Sequence, residues 1–290
     1  MSDFVILTDS CCDLPPRLAE ELEVVVQPLT VEIEGKRYHN YLDGREIAPA
    51  EFYAKLRAGA PATTSAVNVG EFTDTMEPLL QQGRDVLVLA FSSALSTTCN
   101  SARIAAEDLM QKYPDRKVAV VDTLAASMGQ GLLVYLAVQQ KRAGKSLEEV
   151  RDWVEENKLH LCHWFTVDDL NHLKRGGRVS ATTALLGTML SIKPVLHVDD
   201  EGRLINMAKA RGRQASLKAV VDKMAETAID PGQQVVFISH GDCLEDAETV
   251  AGMVKERFGV QEVVISYVGP VIGSHSGPGT MALFFLGSRR

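Results

Sequence analysis

VLVLAFSSALSTTCNSARIAAEDLMQKY, Val86–Tyr113, is the stretch that decides the fold. Its first five residues, Val86 to Ala90, form an apolar run that predicts a buried strand. From Ser101 to Tyr113 the side chains Ile104, Ala105, Leu109 and Met110 recur at helical spacing and predict an amphipathic helix. Between the two lie the hydroxyls of Ser92, Ser93, Ser96, Thr97, Thr98 and Ser101. A strand end that feeds a helix start is where open α/β sheets bind ligands. Helix N-termini also offer unpaired N–H groups and a partial positive charge to an anion. With no Lys or Arg inside Phe91–Ala102, the hydroxyls point to a singly charged or polar head group rather than a triphosphate. A turn that merely caps the helix is the competing reading.

Strand–helix alternation continues on both sides. Phe4 to Thr8 reads as a strand, and Asp13-Leu14-Pro15-Pro16 as an N-cap followed by prolines of a first helical turn. Val24 to Glu34 reads as extended, with a hairpin turn at Gly35-Lys36. A helix over Pro49–Arg57, the loop AGAPATTSAVN and a helix over Gly70–Gln82, kinked or broken at Pro78, follow. A strand at Val118–Val121 and a long apolar helix at Gly129–Lys141 complete a parallel βαβ pattern. Ser146 and Glu149 form a capping-box pattern at the head of a helix running to Lys158. After His160 the pattern changes: strands are expected at Cys162–Val167, Pro194–Val198 and Leu204–Ala208, the last two joined by a turn at Asp199–Gly202. Strand–helix segments at Val235–Glu256 and Val263–Gly269, then a strand at Met281–Leu286, finish the chain. The expected fold is α/β with two domains, a parallel-sheet domain over 1–159 and a mixed-sheet domain over 160–290.

Composition narrows the function classes. The 290 residues suffice for two domains, and 46% hydrophobic against 23% charged residues is an ordinary globular balance. A net charge of −8 argues against nucleic acid, whose binding leaves a basic footprint. No apolar run is long enough to span a bilayer, and MSDFVILTDS lacks the basic and apolar regions of a signal peptide, so a cytoplasmic location is expected. The cysteine number, five, is odd and no cysteine spacing suits zinc, so no metal is expected. Cys11 and Cys12 precede a helix start, which would lower a thiol pKa, but buried structural cysteines are the commoner case.

Four segments carry polar chemistry without periodicity: Thr63-Thr64-Ser65, the Ser92/Ser93 turn, LKRGGRV (Leu173–Val179) and GPVIGSHSGPG (Gly269–Gly279). Each also has a structural reading, as a turn, a helix cap or a basic helix end facing its dipole. His275 stands among small residues with few bulky neighbours in sequence, which sets it apart from the other six histidines. The letters contain no GxSxG, HExxH, GxxxxGK[ST] or GxGxxG, so serine hydrolase, zincin, P-loop and dinucleotide readings lack their motifs. A hydroxyl-lined anion site remains, and it reads as binding more than catalysis, with no catalytic residue and no cofactor expected. The alternative is a serine-dependent acyl ester or thioester hydrolase using Ser93 as nucleophile and His275 as base.

Taken together, TDSCCDLP (Thr8–Pro15), FSSALSTTCNSA, LKRGGRV and GPVIGSHSGPG resemble, in order and separation, the landmarks of the DegV family of bacterial fatty-acid-binding proteins. That family includes the FakB component of fatty acid kinase. The resemblance spans essentially the whole chain. Where the family continues its Thr-Ser pair with Gln-Pro, this chain has Ser65-Ala66-Val67.

The resemblance implies a long-chain fatty acid held between two α/β domains, its tail in an apolar tunnel. Thr63 or Thr64 and Ser93 would hydrogen-bond the carboxylate, and Arg178 and His275 would complete the polar network. It further implies that a separate ATP-dependent fatty acid kinase phosphorylates the acid to an acyl phosphate for phospholipid metabolism. Arg211 and Arg213, in AKARGRQA, match a basic segment that faces this kinase. Transient membrane contact is compatible with such a carrier. For the tail, Leu185, Leu186, Met189 and Ile192 are the candidate lining, with a plain core helix as the alternative.

Overall fold

The computed structural model describes residues 4–179 and 192–290. Its N-terminal strands are Phe4–Asp9 (β1), Val25–Gln27 (β2), Thr30–Ile33 (β3), Lys36–His39 (β4), Ala62–Ser65 (β5), Asp85–Ala90 (β6) and Val118–Asp122 (β7). The helices between and after them are Pro16–Glu21 (α1), Pro49–Arg57 (α2), Val69–Gln81 (α3), Thr98–Lys112 (α4), Met128–Arg142 (α5) and Leu147–Asn157 (α6). β2-β1-β6-β7 form an all-parallel sheet, and β4-β3-β5 a small antiparallel one. The remaining strands are Leu161–Thr166 (β8), Ile192–Val198 (β9), Leu204–Arg211 (β10), Val235–His240 (β11), Glu262–Tyr267 (β12) and Met281–Leu286 (β13). They build a mixed sheet in the order β10-β9-β8-β13-β11-β12, in which only β11 and β12 run parallel. Its helices are Leu170–Arg175 (α7), Arg213–Thr227 (α8), Leu244–Phe258 (α9) and Pro270–Ser276 (α10).

Both faces of the parallel sheet are covered, so its strands are continuously apolar, as buried parallel strands must be. Phe4, Ile6, Leu87 and Leu89 point to one core; Leu7, Val86 and Val88 point to another with Phe72, Met76 and Ala105. The first core also holds Phe165, Leu196, Phe237, Ala282 and Phe284 of the mixed sheet. Between the two sheets lies α5, whose Leu132, Leu133, Val134, Ala137 and Val138 are all buried. A helix apolar on every side belongs in such a position. Gly129 lets it approach closely: a Cβ there would stand 2.2 Å from His163 Nε2 and 2.9 Å from Phe284 Cδ1.

Several local expectations change. The segment expected as a loop, AGAPATTSAVN, contains β5, because its residues find a partner edge in β3. Pro78 lies in α3 without ending it. Asp13 does not cap α1, whose N-cap is Pro15; it sits at φ +50° and is buried. Cys11 and Cys12 are buried, and burial raises both thiols well above their ordinary pKa rather than lowering it. The capping box at Ser146 and Glu149 is present, with Glu149 N–H donating to Ser146 Oγ at 3.2 Å.

Candidate functional site

The strand order reverses direction of winding between β1 and β6, which makes the carboxyl ends of these neighbours a switch-point crevice. Asp9, at the end of β1, ties the two ends together by accepting from Phe91 N–H at 2.8 Å and Cys11 N–H at 3.0 Å. Burial raises its carboxyl to about 6, those two N–H bonds opposing the shift. Ser92 is buried and structural: its hydroxyl donates to Gly202 O at 3.0 Å, fixing the loop after β6 to the β9–β10 turn. Ser93, the next residue, is exposed toward the crevice, with its N–H on Asp122 Oδ1 at 3.1 Å.

From this crevice a cavity of about 450 Å³ runs between the sheets. Phe165, Val198, Leu204, Ala282, Phe284 and Val271 give it apolar walls, and Ser93, Ser96, Thr64, Arg178 and His275 supply polar groups. Its size and its mostly apolar lining are those of a small-molecule site. Outside lies a second hollow of about 690 Å³, bordered by Thr63, His172, Arg175 and Ser274. Thr64, Arg178 and His275 line both hollows and therefore stand at the passage between them.

These three residues arrive from distant segments. Thr64 lies on β5, where strand alternation turns it toward His275, while Thr63 is exposed. Thr64 Oγ1 and His275 Nε2 are 2.8 Å apart. Gly176, after α7, makes room for the ring: a Cβ there would lie 2.3 Å from His275 Nδ1. Arg178 donates through Nε to Leu95 O at 3.3 Å and through Nη1 to Gly176 O, leaving its remaining N–H groups for a ligand. Burial, reinforced by the Arg178 charge, lowers the His275 pKa to about 4, so the imidazole is neutral at pH 7. One fixed cation beside neutral donors suits a monoanion such as a carboxylate.

A separate polar group lines the same cavity where α5 begins. Ser127 Oγ donates to Asp13 Oδ2 at 2.6 Å and lies 2.9 Å from Ser239 Oγ. Burial raises the Asp13 carboxyl to about 8, against the opposing Ser127 bond.

Of the residues expected at a carboxylate site, the structure therefore brings Thr64, Ser93, Arg178 and His275 to one cavity, and puts Thr63 on its outer approach. Leu185, Leu186 and Met189 lie outside the described residues. Ile192 opens β9 opposite Arg211 and does not line the cavity; Val198, at the other end of the strand, does. Arg211 is exposed, whereas Arg213 is tied by ion pairs to Asp246 at 2.8 Å and Asp168 at 3.6 Å. The hydrolase geometry is not found: His275 Nε2 is engaged by Thr64, and no hydrogen bond joins it to Ser93 among the described residues. His163, set aside in the sequence, also lines the cavity, as do Ser127 and Ser239. For His163 a signal existed, since period-two alternation places it with Phe165 on one face of β8.

Residues 3–288 match the model of the family described as "Uncharacterised protein, DegV family". A DegV domain-containing protein of Clostridium perfringens is 50% identical over 290 residues, covering 100% of this chain and 99% of the relative. Among solved structures, a DegV family protein of Thermus thermophilus described for its fatty acid binding superposes with a TM-score of 0.85 at 33% identity, over 97% of this chain and 98% of that one. A Thermotoga maritima protein described as revealing a fatty acid binding function gives a TM-score of 0.84 at 31% identity, over 98% and 99% of the two chains.

Proposed function

Since the chain belongs to the DegV family, we propose that it binds a long-chain fatty acid in the cavity between its sheets and presents the carboxylate to a separate ATP-dependent fatty acid kinase. The observation that carries this reading is the placement of Thr64, Arg178 and His275 where a mostly apolar cavity meets a second, adjoining hollow. A carboxylate held there has its tail in the cavity and its oxygens facing outward, where a second protein can reach them.

The energetics divide the work. Burying a sixteen-carbon tail supplies roughly 10 kcal/mol at about 0.8 kcal/mol per methylene, before ordering costs. Each hydrogen bond to the charged head adds about 1.5–3 kcal/mol. The tail sets affinity, and Thr64, Ser93, Arg178 and His275 set where the carboxylate points. Phosphoryl transfer depends on that alignment. The protein itself takes no catalytic step in this scheme; it works in the cytoplasm, supplies phospholipid metabolism, and meets the kinase through exposed basic residues including Arg211.

The test mixes the acid-loaded protein with a fatty acid kinase and MgATP and traps acyl phosphate as its hydroxamate. Product that requires this protein is the expected result. Bound acid with no product would remove the kinase half of the reading, and no bound acid would remove both halves.

A further inference from the structure

Outside the passage, the second hollow gathers charge of one sign. Arg175 and His172 border it without lining the inner cavity, whereas Arg178 and His275 border both. No Asp or Glu lines it among the described residues, although the chain carries a net charge of −8. Neither Arg175 nor Arg178 has an ion-pair partner among the described residues; their hydrogen bonds go to a histidine ring and to backbone carbonyls. By contrast, Arg57, Arg213 and Arg257 are neutralised by Asp242, Asp246 and Asp222.

Direct contacts join these groups. α7 packs on α10, and two glycines let the helix ends close on each other. A Cβ at Gly176 would stand 2.3 Å from His275 Nδ1, and one at Gly277 2.5 Å from His172 Cδ2. Arg178 Nη1 donates to Gly176 O, and Arg175 Nη2 donates to His172 Nδ1 at 3.0 Å, one turn back on α7. A guanidinium has no acceptor, so His172 Nδ1 accepts and the neutral ring carries its proton on Nε2. Burial and the adjoining Arg175 charge lower the His172 pKa from its ordinary 6.5, which keeps the ring neutral at pH 7. Arg175 is thus positioned by a neutral partner and keeps its charge at the hollow.

A carboxylate at the passage calls for one cation, and Arg178 supplies it. Phosphoryl transfer from MgATP forms a P–O bond to that carboxylate, breaks the P–O bond to the leaving ADP, and turns a singly charged head into a doubly charged acyl phosphate. With the tail in the inner cavity, the added group extends into the outer hollow, where about 690 Å³ and a second guanidinium await it.

We propose that the outer hollow is a phosphoryl subsite in which Arg175, held by His172, pairs with the second negative charge of an acyl phosphate while Arg178 stays with the acyl oxygens. The inference rests on the fatty-acid reading above and extends its site outward from the carboxylate. Arg175 then discriminates a doubly charged head from a singly charged one, a distinction the inner cavity does not make. A basic residue at the end of α7 also suits the helix dipole, and that is the competing role for Arg175.

The experiment needs no kinase. It compares hexadecanoic acid, the matching acyl difluoromethylphosphonate (CF2 in place of the bridging oxygen) and the singly charged monomethyl ester of that phosphonate. Each displaces a fluorescent fatty acid from delipidated protein and from Arg175→Ala. The substitution is expected to weaken the doubly charged phosphonate about fivefold or more, and the acid and the ester by less than about twofold. Equal weakening of all three ligands would assign Arg175 to the scaffold and overturn the inference. So would a phosphonate unmoved by the substitution, or one that fails to bind parent protein that takes up the acid; fatty-acid binding would survive each result. Failure of every ligand, the acid included, would overturn the fatty-acid reading and this inference with it.

Discussion

Nε2 of His275 lies 2.8 Å from Oγ1 of Thr64, joining two residues 211 positions apart at the passage into the cavity. The contact brings α10 onto β5 and leaves the neutral imidazole beside Arg178. In the proposed fatty-acid complex, Thr64 orients the ring, Ser93 supplies a neutral hydrogen bond to the carboxylate, and Arg178 supplies charge.

Removal of Ser93's hydroxyl should therefore disturb position more than affinity. In Ser93→Ala, fatty acid occupancy is expected to fall less than threefold, with kinase-dependent acyl phosphate formation falling about tenfold or more. Parallel measurement of retained lipid and trapped hydroxamate checks this. Equal losses in both would assign Ser93 to affinity instead.

Ligand charge should be visible at His275. The ring titrates at about 4 because burial and Arg178 disfavour its cation. A carboxylate anion beside it favours the cation, so its pKa should rise on binding. Histidine-resolved NMR titrations of free and acid-loaded protein measure the shift. A pKa unmoved by ligand would place the carboxylate elsewhere.

Asp13 makes stability pH-dependent in a stated direction. Its folded pKa, about 8, stands above its ordinary 3.8, so the folded state binds the proton more tightly than the unfolded state. This contribution is complete below pH 3.8 and is lost as pH rises toward 8, by up to about 1.4 kcal/mol per pH unit. Asp9, raised to about 6, adds to the slope only in the lower part of that window, while His163, His172, His197, His240 and His275, all lowered by burial, act in the opposite sense near pH 6.5. The difference in denaturant midpoint between the parent and Asp13→Asn should change from pH 6 to pH 8, because only the parent loses the Asp13 contribution over that window. An unchanged difference would refute the assignment.

How far the sequence discloses all this depends on the range of the contact. Strands and helices defined by local periodicity, such as β1, β6 and α5, are readable because every turn repeats the same apolar signal. β5 is not, since ATTS becomes a strand only through β3, some thirty residues earlier. The head-group residues were legible as polar segments without periodicity. Resolving Thr64 from Thr63 required knowing that they lie on a strand, where neighbours face opposite sides. The Asp13–Ser127–Ser239 cluster left no local trace: it is assembled from a turn, a helix start and a strand separated by more than a hundred residues.

Arg290 supplies a comparable long-range tie. Its guanidinium donates to the carbonyls of Leu161, Leu124, Asp199 and Lys158 at 3.0, 2.8, 2.9 and 2.7 Å, and it is buried. These carbonyls belong to the loop before α5, the C-cap of α6, the start of β8 and the β9–β10 turn. Arg290→Ala should cost about 2–4 kcal/mol in equilibrium unfolding, from several charge-assisted bonds lost together. A change under 0.5 kcal/mol would mean that water replaces the guanidinium without penalty.

Arg211 and Arg213 should separate in their effects. Arg211→Glu is expected to impair kinase coupling with little change in lipid binding, because its side chain is exposed. Arg213→Ala should lower stability by breaking the pair with Asp246. If both variants lose coupling at unchanged stability, Arg213 belongs to the docking surface despite its ion pairs.

The most direct measurement is organic extraction of the purified protein followed by mass spectrometry of what is released. The account predicts long-chain acyl acid in near-stoichiometric amount, with free acid taken up again by the stripped protein. A protein that yields no acyl acid and takes up none when it is added would contradict the central claim.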